Sequence, residues 1–502
     1  MIAAMMALAA AAAAAVATGG ARPTDADTRA WWTTAVALSG DAMEGRDTGS
    51  AAYERAARLV AARFQAAGLQ PAGDDGSYFQ RVPMEQVAVT QAEISVGGTP
   101  LVFLHDIMVA PGPGMAERLD AAIAYRGYCA AADLADVRGK VVICHGTHRA
   151  GMPGDAERQA AAKAAGAAAI VTIADPGFTV EPPRWPYAYA RAVWLKGSAP
   201  APEAMLRFTL NADALGRLIA GSGRDAAALV AAGAAGQALP RFDVAGPFHA
   251  AFTLAHAAIS APNVLALLPG RDPDKSHQAI ILSAHLDGFG RGEPVDGDGL
   301  YNGTLDDAAY VALLIRTAER RREKGYARPV VFAAFTGEEK GLLGARWFVG
   351  HPTLPRAYIA GDINLDQLRP IFPLDLLTVH ALDDTTLGAD ARAVAGAMGI
   401  AVQRDPEPER NLLRRTDHWP FLQAGIPATG FVFGYRPGSA SERAYRQWYR
   451  TGYHRPQDDP DQAIDWQAAA DFNRFFYALV ERVADQAAAP AWVAGSGLRP
   501  TP

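Results

Sequence analysis

The feature that most constrains this chain is a regular alternation that sets in at Asn263. Residues 279–284 form an unbroken apolar run, the pattern of a parallel strand buried on both faces. A helix is predicted over 306–321, with Val311, Leu314 and Ile315 on one side. Further strands are predicted over 330–335, 359–365 and 428–433, and further helices over 342–349 and 466–483. Strands alternating with helices predict an α/β fold: an open, mixed but mostly parallel sheet with helices on both faces.

The earlier residues read differently. A helix is predicted over 50–68, capped by Ser50, striped by Tyr53, Ala57, Val60 and Phe64, and ended by Gly68. Between about 95 and 250 the pattern breaks into short strands (121–128 and 140–144), a helix over 157–165, an apolar run over 167–173 and a Pro/Trp/Tyr-rich loop over 181–189. No internal repeat is present. At roughly 150 residues per domain, 502 residues predict two to four domains.

Composition narrows the function classes. Half the residues are hydrophobic and 20% are charged, so a sizeable core can form. A formal charge of -6 removes the electrostatic reason to expect a nucleic-acid partner. Two cysteines exclude a disulfide-dense scaffold, a four-cysteine zinc ribbon and iron–sulfur ligation by this chain alone. Cys129 and Cys144 are expected either to form one structural bridge or to be two separately buried thiols. The run 1–17 is apolar and ends Ala15-Val16-Ala17, which fits an export signal over 1–21 without its usual basic start; an N-terminal membrane anchor is the alternative. Two later uncharged stretches, 244–270 and 419–435, are broken by Pro247, Pro262, Pro420 and Pro427 and do not read as spans. The mature chain is therefore expected to be exported, periplasmic or secreted, with no stable membrane span.

In open α/β sheets, ligands collect beyond the carboxyl ends of the strands. That is where His285 and Asp287, then Glu338 and Glu339, then Asp366 fall. Asp306 and Asp307 begin a helix, and His454 sits in a loop before the closing helix. Taken singly, a paired acid at a helix start is ordinary dipole compensation. Together, these acids on one rim would repel unless cations neutralised them. Carboxylates and imidazoles without a thiolate suit zinc or another borderline divalent metal. Two histidines and three carboxylates suffice for two ions sharing one bridging carboxylate, the outline of a dinuclear hydrolytic site.

Five segments then carry a resemblance. SAHLDGFGRGEPVDGDGLYNGTLDDAAYVA, FTGEEKGLLGARWF, INLDQL, RTDHWPFLQAGIPA and GYHRPQDDPDQ resemble, in order, the metal-binding and catalytic segments of the zinc aminopeptidases of peptidase family M28. DAMEGRDTGSAAYERAARLVAARFQAAGLQPAGDDGSYFQ is similar to the N-terminal segment of bacterial members. DVRGKVVICHG and AAAKAAGAAAIVTI resemble the protease-associated domain that many members carry. The resemblance implies a catalytic domain split over 25–95 and 255–490, with a smaller β-rich domain inserted at 96–254.

It further implies a dinuclear zinc exopeptidase, foremost an aminopeptidase acting on peptide or protein N-termini. His285, Asp306 and Asp366 would hold one zinc; Asp306, Glu339 and His454 would hold the other. Asp287 would accept from the second ring nitrogen of His285. Glu338 would be the general base on a water shared by the ions, and the Asp306–Asp307 bond is a candidate cis peptide. Tyr453, or else His418, would be the oxyanion donor. Asp417 would orient His418 or a loop.

The chain departs from the family at Ala309-Tyr310 and at Gln367-Leu368-Arg369. Both departures are expected to flank the pocket and bear on substrate preference. Arg369 reads as a surface salt-bridge residue, with a substrate carboxylate as its alternative partner. The other functions to separate are a carboxypeptidase or dipeptidase, a glutaminyl-cyclase-like acyltransferase, and a non-catalytic receptor-like relative. No G-x-S-x-G and no phosphate-binding G-x(4)-G-K-[S/T] occurs.

Overall fold

Every residue of the strand Ala279–His285 is buried, and its side chains divide between two cores. Ile280, Leu282 and Ala284 enter one, with Phe332 of the neighbouring strand Val330–Phe335; Ile281 enters the other, with Val331 and Phe335. A strand apolar on both faces must be covered on both. The first face is covered by helices Ala26–Ser39, Ala51–Ala66, Ala309–Arg321 and Trp466–Asp485. The second is covered by Leu343–Gly350 and His418–Gln423. This computed structural model describes residues 23, 25–147, 149, 151–175, 184–366 and 369–500. The expected export signal, residues 181–183 of the predicted loop, and Gln367 and Leu368 lie outside the described residues.

Ala279–His285 runs parallel to Val330–Phe335 on one side and to Ile359–Asn364 on the other, and Ile359–Asn364 pairs in parallel with Ala428–Thr429. The predicted mixed, mostly parallel sheet with helices on both faces is the architecture found. The single strand predicted over 428–433 is instead two. Ala428–Thr429 stays in the large sheet, while Phe431–Phe433 joins Leu376–Val379 in a small one. The chain turns at Gly430, where a Cβ would stand 3.1 Å from Nδ1 of His418. The helix predicted over 306–321 begins later, at Ala309, after an irregular turn over Thr304–Ala308 that contains a cis Asp306–Asp307 bond.

Two long strands were not foreseen. Phe79–Val96 and Arg241–Leu268 pair antiparallel along nearly the whole length of the shorter one. Arg241–Leu268 also pairs with Val330–Phe335 near one end and with Arg118–Arg126 near the other. It thereby joins the strands described above to a second parallel set, Arg118–Arg126, Val141–His145, Ala169–Ile173 and Leu206–Leu210. This second set has its own apolar core around Ile143, Val171, Phe208 and Phe248. Alanine hides the long strand in the sequence, because its small side chain gives weak contrast between buried and exposed positions. Cys129 and Cys144 form a disulfide beside this core, with an S–S distance of 2.06 Å. Among the described residues, no helix is long and apolar enough to cross a membrane.

Candidate metal centre

Each strand end delivers its side chain by a local device. The backbone N–H of His285 donates to Asp307 Oδ2 (3.1 Å), which ties the strand terminus to the Thr304–Ala308 turn. That turn is held from below by Asp458, whose carboxylate accepts from the N–H groups of Leu305 (2.9 Å) and Asp306 (3.0 Å). Gly303 enters it at φ 60°, where a Cβ would lie 2.5 Å from the carbonyl oxygen of Asp306. The turn after Val330–Phe335 is pinned by Asp287, whose two oxygens accept from the N–H groups of Glu338 (3.1 Å) and Glu339 (3.3 Å). Thr48 also donates to that carboxylate (3.0 Å).

His285, Asp306 and Glu339 each offer an atom within 4.8 Å of the others. Asp306 is turned two ways: Oδ1 lies 3.1 Å from His285 Nε2, and Oδ2 lies 3.5 Å from His454 Nε2. Glu339 Oε2 is 3.6 Å from His454 Nε2, and Asp366 Oδ1 is 4.0 Å from His285 Nε2. All five expected ligand positions therefore converge. The donor set fits divalent metal: Asp306 Oδ2 and Asp366 Oδ1 are buried and make no hydrogen bond among the described residues. Charge points the same way. Burial pushes the Glu339 carboxyl up to about 8 and Asp366 up to about 7. Burial opposes the Asp306 carboxylate too, yet His285 and His454 hold it below its ordinary range. Cations would relieve this crowding of acids.

Asp287 departs from expectation in one respect. Its backbone carbonyl, not its carboxylate, stands 3.1 Å from His285 Nδ1; the carboxylate is 3.8 Å away and is committed to the Glu338–Glu339 turn. A cavity of about 320 Å³ opens on the cluster, lined by Glu338, Asp306, Glu339, Tyr453 and His454 among others. The Tyr453 hydroxyl accepts from Arg415 Nη2 (3.3 Å), and its ring stacks on His454 at 3.7 Å. His418 is placed elsewhere: it is buried beside His380, its Nδ1 is 2.5 Å from Thr416 Oγ1, and it is not among the residues lining this cavity. Asp417 does not orient it; both Asp417 oxygens are buried without a hydrogen bond among the described residues.

Of the family departures, Tyr310 and Arg369 are not among the residues lining this cavity. Tyr310 is buried against Phe472 in the helical core. Arg369 is no surface residue, being 0% exposed. Its guanidinium lies over the rings of Tyr449 (4.3 Å), Tyr445 (4.9 Å) and Trp448 (5.0 Å) and donates to the Tyr449 hydroxyl (2.5 Å). This burial replaces the surface salt bridge expected of it.

Three residues near the centre went unread in the sequence. Arg46, fully buried, donates to the carbonyls of Leu286 (2.8 Å), Leu38 (2.9 Å), Asn302 (2.7 Å) and Gly303 (2.8 Å). It lies within the quoted N-terminal segment, and Asp458 lies within the last quoted motif; those motifs were their only signal. Tyr189 reaches His454 Nδ1 (3.2 Å) from a remote stretch that carries no signal at all.

Comparison with known proteins gives a family match over one segment and a shared fold over most of the chain. Residues 263–480 match the model of peptidase family M28. Among curated proteins, the leupeptin-inactivating enzyme 1 of Streptomyces exfoliatus is 24% identical over 236 residues, 45% of this chain and 50% of that one. The alkaline phosphatase isozyme conversion protein of Escherichia coli is 29% identical over 228 residues, 41% of this chain and 64% of that one. The chain thus spans about half the length of the first of these relatives. Among solved structures, an aminopeptidase from Aneurinibacillus sp. strain AM-1 aligns over 93% of this chain and 95% of its own, with a TM-score of 0.60 and 18% identity. A zinc aminopeptidase from Bacillus subtilis aligns over 91% and 95%, with a TM-score of 0.61 and 18% identity. The fold is shared with these enzymes along almost the entire chain, and residues 263–480 match the model of peptidase family M28.

Proposed function

We propose that this chain is an exported zinc aminopeptidase that holds two zinc ions and releases residues from the N-termini of peptides or proteins. The divided orientation of Asp306, one oxygen toward His285 and the other toward His454, carries the reading. His285, Asp306 and Asp366 would hold one ion, and Asp306, Glu339 and His454 would hold the other. The aminopeptidases that share the fold support the substrate class.

Bound there, zinc would supply Lewis acidity to water and to a peptide carbonyl. Glu338 lines the cavity beside a ligand and takes the proton of the attacking water, then returns a proton to the leaving amine. Tyr453, which lines the cavity and whose hydroxyl accepts from Arg415, donates toward the carbonyl oxygen as charge develops there. Asp287 fixes the backbone on which Glu338 and Glu339 stand, and Asp307 fixes His285 to the turn that carries Asp306.

Residues 25–95 and 255–490 make the catalytic unit, and 96–254 an inserted protease-associated-like domain, a division supported by the separate apolar core of the second strand set. A buried Cys129–Cys144 disulfide suits an oxidising, exported setting. The test has three parts. Purified protein should carry two zinc ions per chain. Glu338→Gln should keep both and lose roughly 10²–10⁴-fold in turnover. Peptides with a free N-terminus should be cleaved, while their N-acetylated forms should not. Metal-free folded protein, undiminished turnover in the variant, or cleavage that survives acetylation would each overturn the corresponding part.

A further inference from the structure

Apart from Asp306, Glu338 and Glu339, which the metal and the base account for, the charged side chains lining the cavity are cationic: Arg346, Arg414 and Arg415, with His454 the remaining titratable ligand. Arg346 stands on Leu343–Gly350, the helix that follows the Glu338–Glu339 turn. Its Nε donates to the Gly341 carbonyl (3.0 Å) and its Nη1 to Gln423 Oε1 (3.4 Å), both neutral acceptors. Arg414 ends the short turn Leu412–Arg414, its guanidinium 5.1 Å over the ring of Trp419. Both side chains are exposed, and among the described residues neither forms an ion pair. Arg415 is already engaged with the Tyr453 hydroxyl.

Two divalent ions would balance the carboxylates of Asp306, Glu339, Asp366 and Glu338, so the guanidiniums set the sign of the field at the mouth. A planar guanidinium presents paired donors that match a carboxylate. Building on the aminopeptidase reading, we propose that Arg346 and Arg414 select peptides bearing a carboxylate within a residue of the scissile bond. Two sources carry that chemistry: an acidic side chain, or the free C-terminus of a very short peptide. Arg369 cannot serve, because it is sealed in its aromatic cage.

The experiment measures kcat and KM of the zinc-loaded enzyme on Leu-Ala-NH2, Leu-Glu-NH2, Glu-Ala-NH2 and Leu-Ala with a free C-terminus. At least one acid-bearing peptide should exceed the neutral amide in kcat/KM by about five- to tenfold, chiefly through KM. The glutamyl amides report the side-chain source, and free Leu-Ala reports the C-terminal one. Arg346→Gln with Arg414→Gln should abolish the excess while leaving Leu-Ala-NH2 within about twofold, since neither residue touches the reacting groups. The double lysine variant should retain part of the excess, because it keeps the charge but not the fork. Equal kcat/KM on all four peptides, or an excess that survives the glutamine pair, overturns the proposal. Failure to cleave any of the four overturns the aminopeptidase reading and this proposal with it.

Discussion

The hydroxyl of Tyr189 stands 3.2 Å from Nδ1 of His454, so a residue 265 positions upstream holds the far side of an imidazole whose Nε2 faces Asp306 and Glu339. The ring of Phe289 packs against both, 5.3 Å from Tyr189 and 4.4 Å from His454. Hydrogen bonds to the second nitrogen of a ligating histidine set its tautomer and aim. Tyr189→Phe keeps the ring and removes only the hydroxyl. It should weaken zinc binding at the His454 side by about tenfold or more, read by calorimetry against a competing chelator, with the unfolding midpoint of the metal-free protein unchanged.

Arg46 makes a different kind of support. Its guanidinium satisfies four backbone carbonyls contributed by the first helix, the loop after His285 and the approach to Asp306. Arg46→Met would leave those carbonyls buried and unpaired. Urea unfolding should report a loss of about 3–5 kcal/mol, the range for breaking a buried charged network from one side. Lysine should not restore it, since one ammonium cannot reach four divergent acceptors.

His380 gives a pH prediction with a definite sign. Burial, and then the charge of Arg369, lower its pKa from 6.5 to about 4 in the folded chain. Above pH 6.5 neither folded nor unfolded chain holds the proton, and the residue adds no slope. Between about 6.5 and 4 the unfolded chain binds it and the folded chain does not, so stability falls as pH falls. Below 4 both are protonated and the loss levels off. His380→Gln should flatten this part of the acid limb by up to about 3 kcal/mol, measured as urea unfolding free energy at a series of pH values.

The Cys129–Cys144 bridge closes a loop with a sequence separation of 15. Loop-closure entropy for that length is about 3 kcal/mol. The double alanine variant should unfold at correspondingly lower urea, while its zinc content and turnover stay as they were, because the bridge packs with Val142 and Ile170 beside the second core and not among the residues lining the cavity.

His285, Glu338, Glu339 and Asp366 were legible from the sequence because each follows directly on a strand, where the α/β architecture puts its ligands. Asp306 and His454 were legible only as an acid at a helix start and a histidine in a loop, since one sits in an irregular turn and the other at φ 52°, and their separate roles came from the motif resemblance. Arg369 was misread for a physical reason. Its cage comes from the helix Ala440–Thr451, about 80 residues on, and an arginine reads as a surface residue until those rings close over it. The cavity arginines suffered the opposite fate: Arg414 and Arg415 sit in a plain basic run, and only the folding of that run toward Glu338 makes them part of the site. The two long strands were lost to alanine and to Pro247 and Pro262, which punctuate the sequence without ending the pairing.

Those strands impose an order of events on the growing chain. Gln80 bonds to Asn263, 183 residues later, and Phe79–Val96 finds its main partner only when Arg241–Leu268 has been made. At about 5–20 residues per second, that partner arrives roughly 10–35 seconds after the first strand. Throughout that interval the opening helices, Ala26–Ser39 and Ala51–Ala66, lack strands they will lie on, and the core around Ile143 and Val171 lacks Phe248 and Phe252, which the same late strand brings to it. One strand thus seals the second core and opens the first, and the cluster around Asp306 waits longer still, until His454 has been made.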